Sequence, residues 1–227
     1  MNRRTAIALG LSALGLGGAA WIALPRPGAQ QAALAPFGAA GAQTADPASL
    51  PEVADMVLGN PDAKVTLIEY ASFTCPHCAT FHATTFKDLR RDYIETGLIR
   101  FVYREVFFDR YGLWAAMVAR CGGEGRYFGI AEMIYAQQRD WVAGGDAVKI
   151  VENLRRIGRK AGMTDADLDA CMQDGAKAQA MVAKFQADTA ADGIDSTPSL
   201  VLNGRKYGNM SYAELRRLID AEIAAQG

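Results

Sequence analysis

Cys75-Pro76-His77-Cys78 places two thiols three positions apart, with a proline and one of the chain's two histidines between them. A cysteine reacts through its thiolate, so the question is what would lower a thiol pKa at this spot. Proline suits the first position of a helix, where its missing N–H costs nothing, and that places Cys75 at the N-cap. A thiolate there would face the free N–H groups of His77 and Cys78 and the positive end of the helix. The spacing therefore predicts Cys75 as the attacking, more exposed sulfur and Cys78, one turn inward, as the resolving thiol. His77 adds a cation-capable ring at the same helix end, and a stabilised thiolate makes the corresponding disulfide oxidising.

Three further positions bear on this pair. Glu69 lies six residues before Cys75 in an otherwise apolar run, Val65 to Ala71, and a buried carboxylate needs a reason; moving a proton to or from Cys78 would supply one. His82 follows Cys78 by four residues; it either faces the active helix or, as the favoured reading, is a surface histidine. Thr197-Pro198 stands directly before a second apolar run, where a proline can open a strand in a cis turn. The rival readings of Cys-x-x-Cys are half a zinc site and a purely structural disulfide. Zinc needs four ligands, and Cys121 and Cys171 are isolated single residues, so no metal is expected. Pro-His would be an odd filler for a simple staple.

The elements that must hold these residues can be read from period and punctuation. Gly59-Asn60-Pro61-Asp62 is a turn signal, and Lys64 to Ala71 after it reads as a central strand. A helix beginning at the motif keeps Phe86, Leu89, Arg90 and Tyr93 in phase and stops at Gly97. Leu98 to Tyr103 is the second strand, joined to the first by a right-handed parallel crossover. From Tyr111 to about Ala191 the signals are helical: Trp114, Met117, Val118 and Cys121; then Val148, Val151, Leu154 and Ile157; then a capping box at Thr164 to Asp167 leading to Leu168 and Cys171; then Ala176 to Ala191. Ser199 to Leu202, Asn203-Gly204 and Arg205 to Tyr207 spell a hairpin. Ser211 caps a last helix with Leu215, Leu218, Ile219 and Ile223 on one face. The fold class is α/β, a small sheet interrupted by an all-helical insertion.

The chain has 227 residues, half of them apolar, and a formal net charge of -1. That suits one domain with a large insertion and gives no electrostatic case for nucleic acid. Asn2-Arg3-Arg4 precedes Thr5 to Leu24, which carries no charge. Positive then apolar is the order of an export signal, by the general or the twin-arginine route, cleaved near Ala40-Gly41-Ala42 or retained as a membrane anchor. The expected division is an export signal or anchor over 1–24, an Ala/Pro/Gly-rich tether over 25–54, a sheet domain over 55–108 and 192–227, and a helical insertion over 109–191.

Over essentially all of residues 55–225 the sequence resembles the DsbA family of periplasmic thiol oxidases in the thioredoxin superfamily. Cys75-Pro76-His77-Cys78 carries the family's dipeptide, Glu69 falls where its buried acid lies, and Thr197-Pro198 looks like its cis-proline loop. The resemblance implies a thioredoxin fold in which that loop packs on the motif and the Thr197 backbone pairs with a bound peptide as an added strand. It implies donation of the Cys75–Cys78 disulfide to reduced exported proteins, reoxidation by a membrane partner, a periplasmic location, a monomer and no cofactor. Threonine before the proline is similar to the disulfide isomerases of the superfamily, which keeps isomerase and reductase readings open; a peptide-binding chaperone module is a third. Cys121 and Cys171 are extra relative to the simplest members. Some relatives carry a second, structural disulfide, and in an oxidising compartment this pair is expected to be one, with buried free thiols as the other possibility.

Overall fold

The computed structural model describes residues 49–143 and 145–226. The expected export segment Thr5 to Leu24, the Ala40-Gly41-Ala42 site and nearly all of the tether lie outside the described residues. No helix of the described residues is long and apolar enough to cross a membrane.

The sheet has the order β1-β3-β2-β4-β5, formed by β1 (Met56–Gly59), β2 (Thr66–Ala71), β3 (Arg100–Glu105), β4 (Ser199–Leu202) and β5 (Arg205–Tyr207). β2 and β3 run parallel, as the crossover reading requires, and the other pairings are antiparallel. β2 is thus the middle strand, and its loop delivers the motif. Asn203 and Gly204 both have positive φ, 45° and 83°, the backbone that a two-residue hairpin turn demands.

The sequence reading misplaces three things here. β3 begins and ends two residues later than expected. β1 was not assigned at all, since four residues ending in glycine are too short for a periodic signal; it pairs through Met56 opposite Tyr103. Gly59 closes this pairing with φ 85°, and a Cβ there would lie 2.4 Å from the Ile99 carbonyl oxygen. The motif helix is also not continuous. α1 (Pro76–Ala83) ends at Thr84, whose φ and ψ of -126° and -88° break the ladder, and the chain resumes as α2 (Thr85–Leu89) and a π-turn over Arg90–Ile94.

Between the sheet halves come α3 (Arg110–Cys121), α4 (Glu124–Ala136), α5 (Gln138–Val142), α6 (Ala147–Lys160), α7 (Asp165–Met172) and α8 (Gly175–Ala191). α4 and α5 had no place in the sequence reading. Val148 is 69% exposed, so α6 buries Ile150, Leu154 and Ile157 and turns the expected Val148 outward. The Thr164 capping box is present with Asp167 as its partner. Ser211 caps α9 (Tyr212–Gln226): the Glu214 amide donates to its hydroxyl, and that hydroxyl donates to the Glu214 carboxylate.

Strand alternation sends Leu67, Glu69 and Ala71 of β2, with Phe101 and Tyr103 of β3, to the face covered by α1, α3 and α4. Each fully buried aliphatic or aromatic side chain there contributes roughly 1.5–3 kcal/mol. The opposite face carries a smaller cluster of Tyr70, Val106 and Val201 under Phe185 of α8. Arg104 of β3 ties this face together, binding Asp55 at 3.0 Å, the Tyr70 hydroxyl at 2.7 Å and Asp192 at 3.3 Å.

Cys121 of α3 and Cys171 of α7 are joined by a disulfide, with Cα atoms 5.7 Å apart and a sequence separation of 50. A loop of that length loses about 4 kcal/mol of unfolded-state entropy on closure in the chain-entropy model. The Cys121→Ala, Cys171→Ala double variant is expected to melt on the order of 10 °C lower by calorimetry; an unchanged melting temperature would deny the bridge a stabilising role.

Candidate active site

Cys75 sits at the N-cap of α1 in extended backbone, φ -82° and ψ 118°, with Pro76 as the first helical residue. Its amide donates to the Ser72 carbonyl at 3.1 Å, and its carbonyl accepts from Ala79 at 3.2 Å. Buried Gln138 of α5 donates through Nε2 to the carbonyls of Phe73 (2.8 Å) and Cys75 (2.9 Å), pinning the loop to the insertion. Sequence reasoning missed Gln138; a polar residue in an unassigned short helix gives no signal of what it will reach. Asp109, equally unmarked, caps α3 and accepts from the Thr74 hydroxyl at 2.9 Å, fixing the loop from the other side.

Cys75 and Cys78 are free thiols, 8% and 0% exposed. Cys75 is therefore the more accessible sulfur, though barely open to solvent. The environment splits the two sharply. The Cys75 pKa falls from 9.0 to about 5, first because the Cys78 thiol donates to its sulfur, then through Thr197 and the amides of Cys78 and His77, against the opposing effect of burial. Burial pushes Cys78 far above the ordinary thiol range, and the charges of Cys75 and Glu69 push the same way. No α1 amide reaches Cys75 at full cap geometry, so the helix end acts by proximity of its N–H dipoles rather than through the bonded cap expected. The His77 ring is exposed, and the part of His77 that acts on the sulfur is its amide.

The Thr197–Pro198 peptide bond is cis. The Thr197 carbonyl accepts from the Cys75 thiol at 3.4 Å, which puts the loop directly on the motif. The Thr197 hydroxyl is buried without a bonded partner, and a Cys75 thiolate supplies the acceptor it lacks. Thr197→Val is accordingly expected to raise the Cys75 pKa, read as a displaced midpoint in the thiolate absorbance near 240 nm; an unmoved midpoint would remove the hydroxyl from the site.

Glu69 is fully buried on β2. The expected surface histidine is not one: His82 is 7% exposed and its Nε2 lies 3.1 Å from both Glu69 oxygens. The reason is the helix phase. His82 is one turn beyond Cys78 on the same buried face of α1, so the spacing that marks Cys78 as inward also marks His82.

The thioredoxin family model matches residues 52–221. The DsbA protein alpha-DsbA1 of Wolbachia pipientis has a similar structure, with a TM-score of 0.70 at 25% identity over 78% of this chain and 95% of that one. This chain belongs to the DsbA-like thioredoxin family. Among curated relatives it is 36% identical over 170 residues to a Rickettsia bellii protein named "Putative protein-disulfide oxidoreductase", covering 74% of this chain and 64% of that protein's length. It is 23% identical over 178 residues to the disulfide bond formation protein D of Bacillus subtilis, covering 74% and 76%. The DsbA-like assignment accounts for the sheet order, the cis-proline loop on the motif and the helical block between the sheet halves.

Proposed function

We propose that the chain is an exported thiol:disulfide oxidoreductase that donates a Cys75–Cys78 disulfide to reduced proteins. The observation that carries this reading is the asymmetry of the pair: one sulfur favoured as thiolate beside a cis-proline loop, the other buried as a thiol next to Glu69. A client thiolate attacks Cys75 Sγ, the Cys75–Cys78 bond breaks, and Cys78 leaves and takes a proton. A second client thiol then attacks the client sulfur of the mixed disulfide and expels the Cys75 thiolate. Since that thiolate is already stable, it leaves readily. The client is oxidised and the pair reduced by the same two electrons, and a membrane redox partner restores the disulfide.

The fold frame for this activity is a thioredoxin-like domain over 55–108 and 192–227 with a helical insertion over 109–191. Export to the periplasm is supported by the charge order of residues 2–24 and by the Cys121–Cys171 bridge, which suits an oxidising compartment. Clients would add their backbone along Thr197, and the protein works as a monomer. The second reading, isomerase or reductase, rests on the threonine before Pro198, which is similar to the disulfide isomerases of the superfamily. The test traps the intermediate: Cys78→Ala, mixed with a peptide whose cysteine is activated as a disulfide with a small aromatic thiol, should release that thiolate and accumulate a mixed disulfide at Cys75, seen by mass. Its failure to form one would reject Cys75 as the attacking sulfur.

A further inference from the structure

Glu69 and His82 form a buried hydrogen-bonded couple whose use the exchange reaction leaves open. His82 Nε2 stands equally far, 3.1 Å, from both carboxylate oxygens. The imidazole is held in place by rings on either side, stacked on Tyr135 with centroids 4.3 Å apart and against Phe86 at 4.5 Å. It therefore cannot turn away from Glu69 without repacking. A fully buried carboxylate with one aromatic-clamped partner is costly unless the partner is used.

The surroundings show where the couple leads. His82 also lines a cavity of about 160 Å3, whose other charged members are Lys87, Arg90, Arg91, Glu95 and Glu132. That volume is large enough for several waters, and its lining mixes these charged groups with Phe86, Phe128 and Ala131. On the inner side the groups facing the couple are Cys78 on the same helix, Tyr103 on β3 and Tyr135 on α4, the two hydroxyls 2.6 Å apart. His82 thus stands between the buried acid on β2 and a cavity rimmed by charged side chains.

We propose that His82 is a positioning residue for the buried half of the exchange: it fixes the Glu69 carboxylate and links it to cavity water, so that proton traffic at Cys78 runs through the Glu69–His82 couple. The inference rests on the exchange reading above. When Cys78 leaves as a thiolate, Glu69 passes to it a proton that His82 draws from the cavity side, and Glu69 is left a carboxylate. In reoxidation the Cys78 thiol gives its proton to that carboxylate, which hands it back through His82 to the cavity; the Cys78 thiolate attacks Cys75 Sγ in the mixed disulfide with the redox partner, the Cys75–Cys78 bond forms, and the partner's sulfur leaves as thiolate.

The test follows resolution of a Cys75–glutathione mixed disulfide by Cys78 in the full chain from pH 5 to 9. It compares wild type with His82→Gln, which keeps an N–H for Glu69 but does not titrate, and His82→Phe, which keeps the stacked ring. Wild type should show a pH-dependent rate, both variants should flatten that dependence, and the rate at pH 7 should fall about tenfold or more. Glu69→Gln, with His82 intact, should lose the same pH dependence, so the idea stays testable if a His82 variant fails to fold. A wild-type pH profile in any folded variant overturns the proposal. A wild-type protein that forms no mixed disulfide with glutathione overturns the exchange reading itself, and this proposal with it, by a visibly different result.

Discussion

Cys75→Ser is expected to reduce disulfide exchange with a dithiol peptide to background, a loss of at least about a thousandfold in rate, while leaving the chain folded by circular dichroism. The size of the loss follows from the site. At pH 7, a thiol with a pKa of about 5 is about a hundred parts thiolate to one part thiol, and a serine hydroxyl at the same place has no comparable anion. Cys78 cannot substitute for it, being fully buried and held in the thiol form. The fold should survive because the loop is fixed by backbone groups, the Ser72, Phe73 and Cys75 carbonyls among them, rather than by the sulfur. A peptide-binding module that uses its cysteines as a staple would bind clients equally well and lose no catalysis; retained exchange in Cys75→Ser would contradict the assignment of the nucleophile.

The second large effect is on the pH dependence of the reduction potential. Only the reduced pair titrates, and its Cys75 pKa is depressed from 9.0 to about 5. The reduced form therefore holds its full stabilisation above pH 9, loses it progressively as pH falls from 9 to about 5, and has none left below. Above about pH 5, reduction of the disulfide takes up one proton for two electrons, since Cys78 stays protonated, so the potential should fall by about 30 mV per pH unit. Below about pH 5 both thiols are protonated and the slope should double to about 59 mV per unit. An ordinary dithiol keeps the steeper slope up to about pH 8. Glutathione equilibration between pH 4 and 8 reads the break directly, and a steep slope persisting to pH 8 would mean that Cys75 is an ordinary thiol.

Much of this site is legible in the sequence because it is local. Four consecutive residues place a thiol at a helix start, and the run from Val65 to Ala71 marks the strand that brings it there. Pro198 is readable too, as a proline opening a strand. What was not legible depends on packing between distant elements. β1 exists because Met56 to Gly59 finds β3, and its sequence alone is too short to declare itself. Gln138 matters because α5 passes over the Phe73–Cys75 turn, a contact 63 positions away from Cys75 in the chain. Val148 kept helical phase but fell on the solvent side, since the pattern of four apolar residues on α6 fixes a stripe without saying where it ends. For His82 the less favoured of two readings holds: histidine is polar enough to be assigned to the surface by type, whereas its spacing from Cys78 places it inside. The Glu69 that required a reason and the histidine read as outward were each other's explanation.

The most direct test of the central claim is the reduction potential of the Cys75–Cys78 pair in the full chain, by equilibration with glutathione buffers at pH 7. Disulfide donation predicts a value near the roughly -120 mV of strong periplasmic oxidants of the DsbA type, a family figure rather than a consequence of this geometry. A value near the roughly -270 mV of thioredoxin would contradict donation and make the protein a reductase.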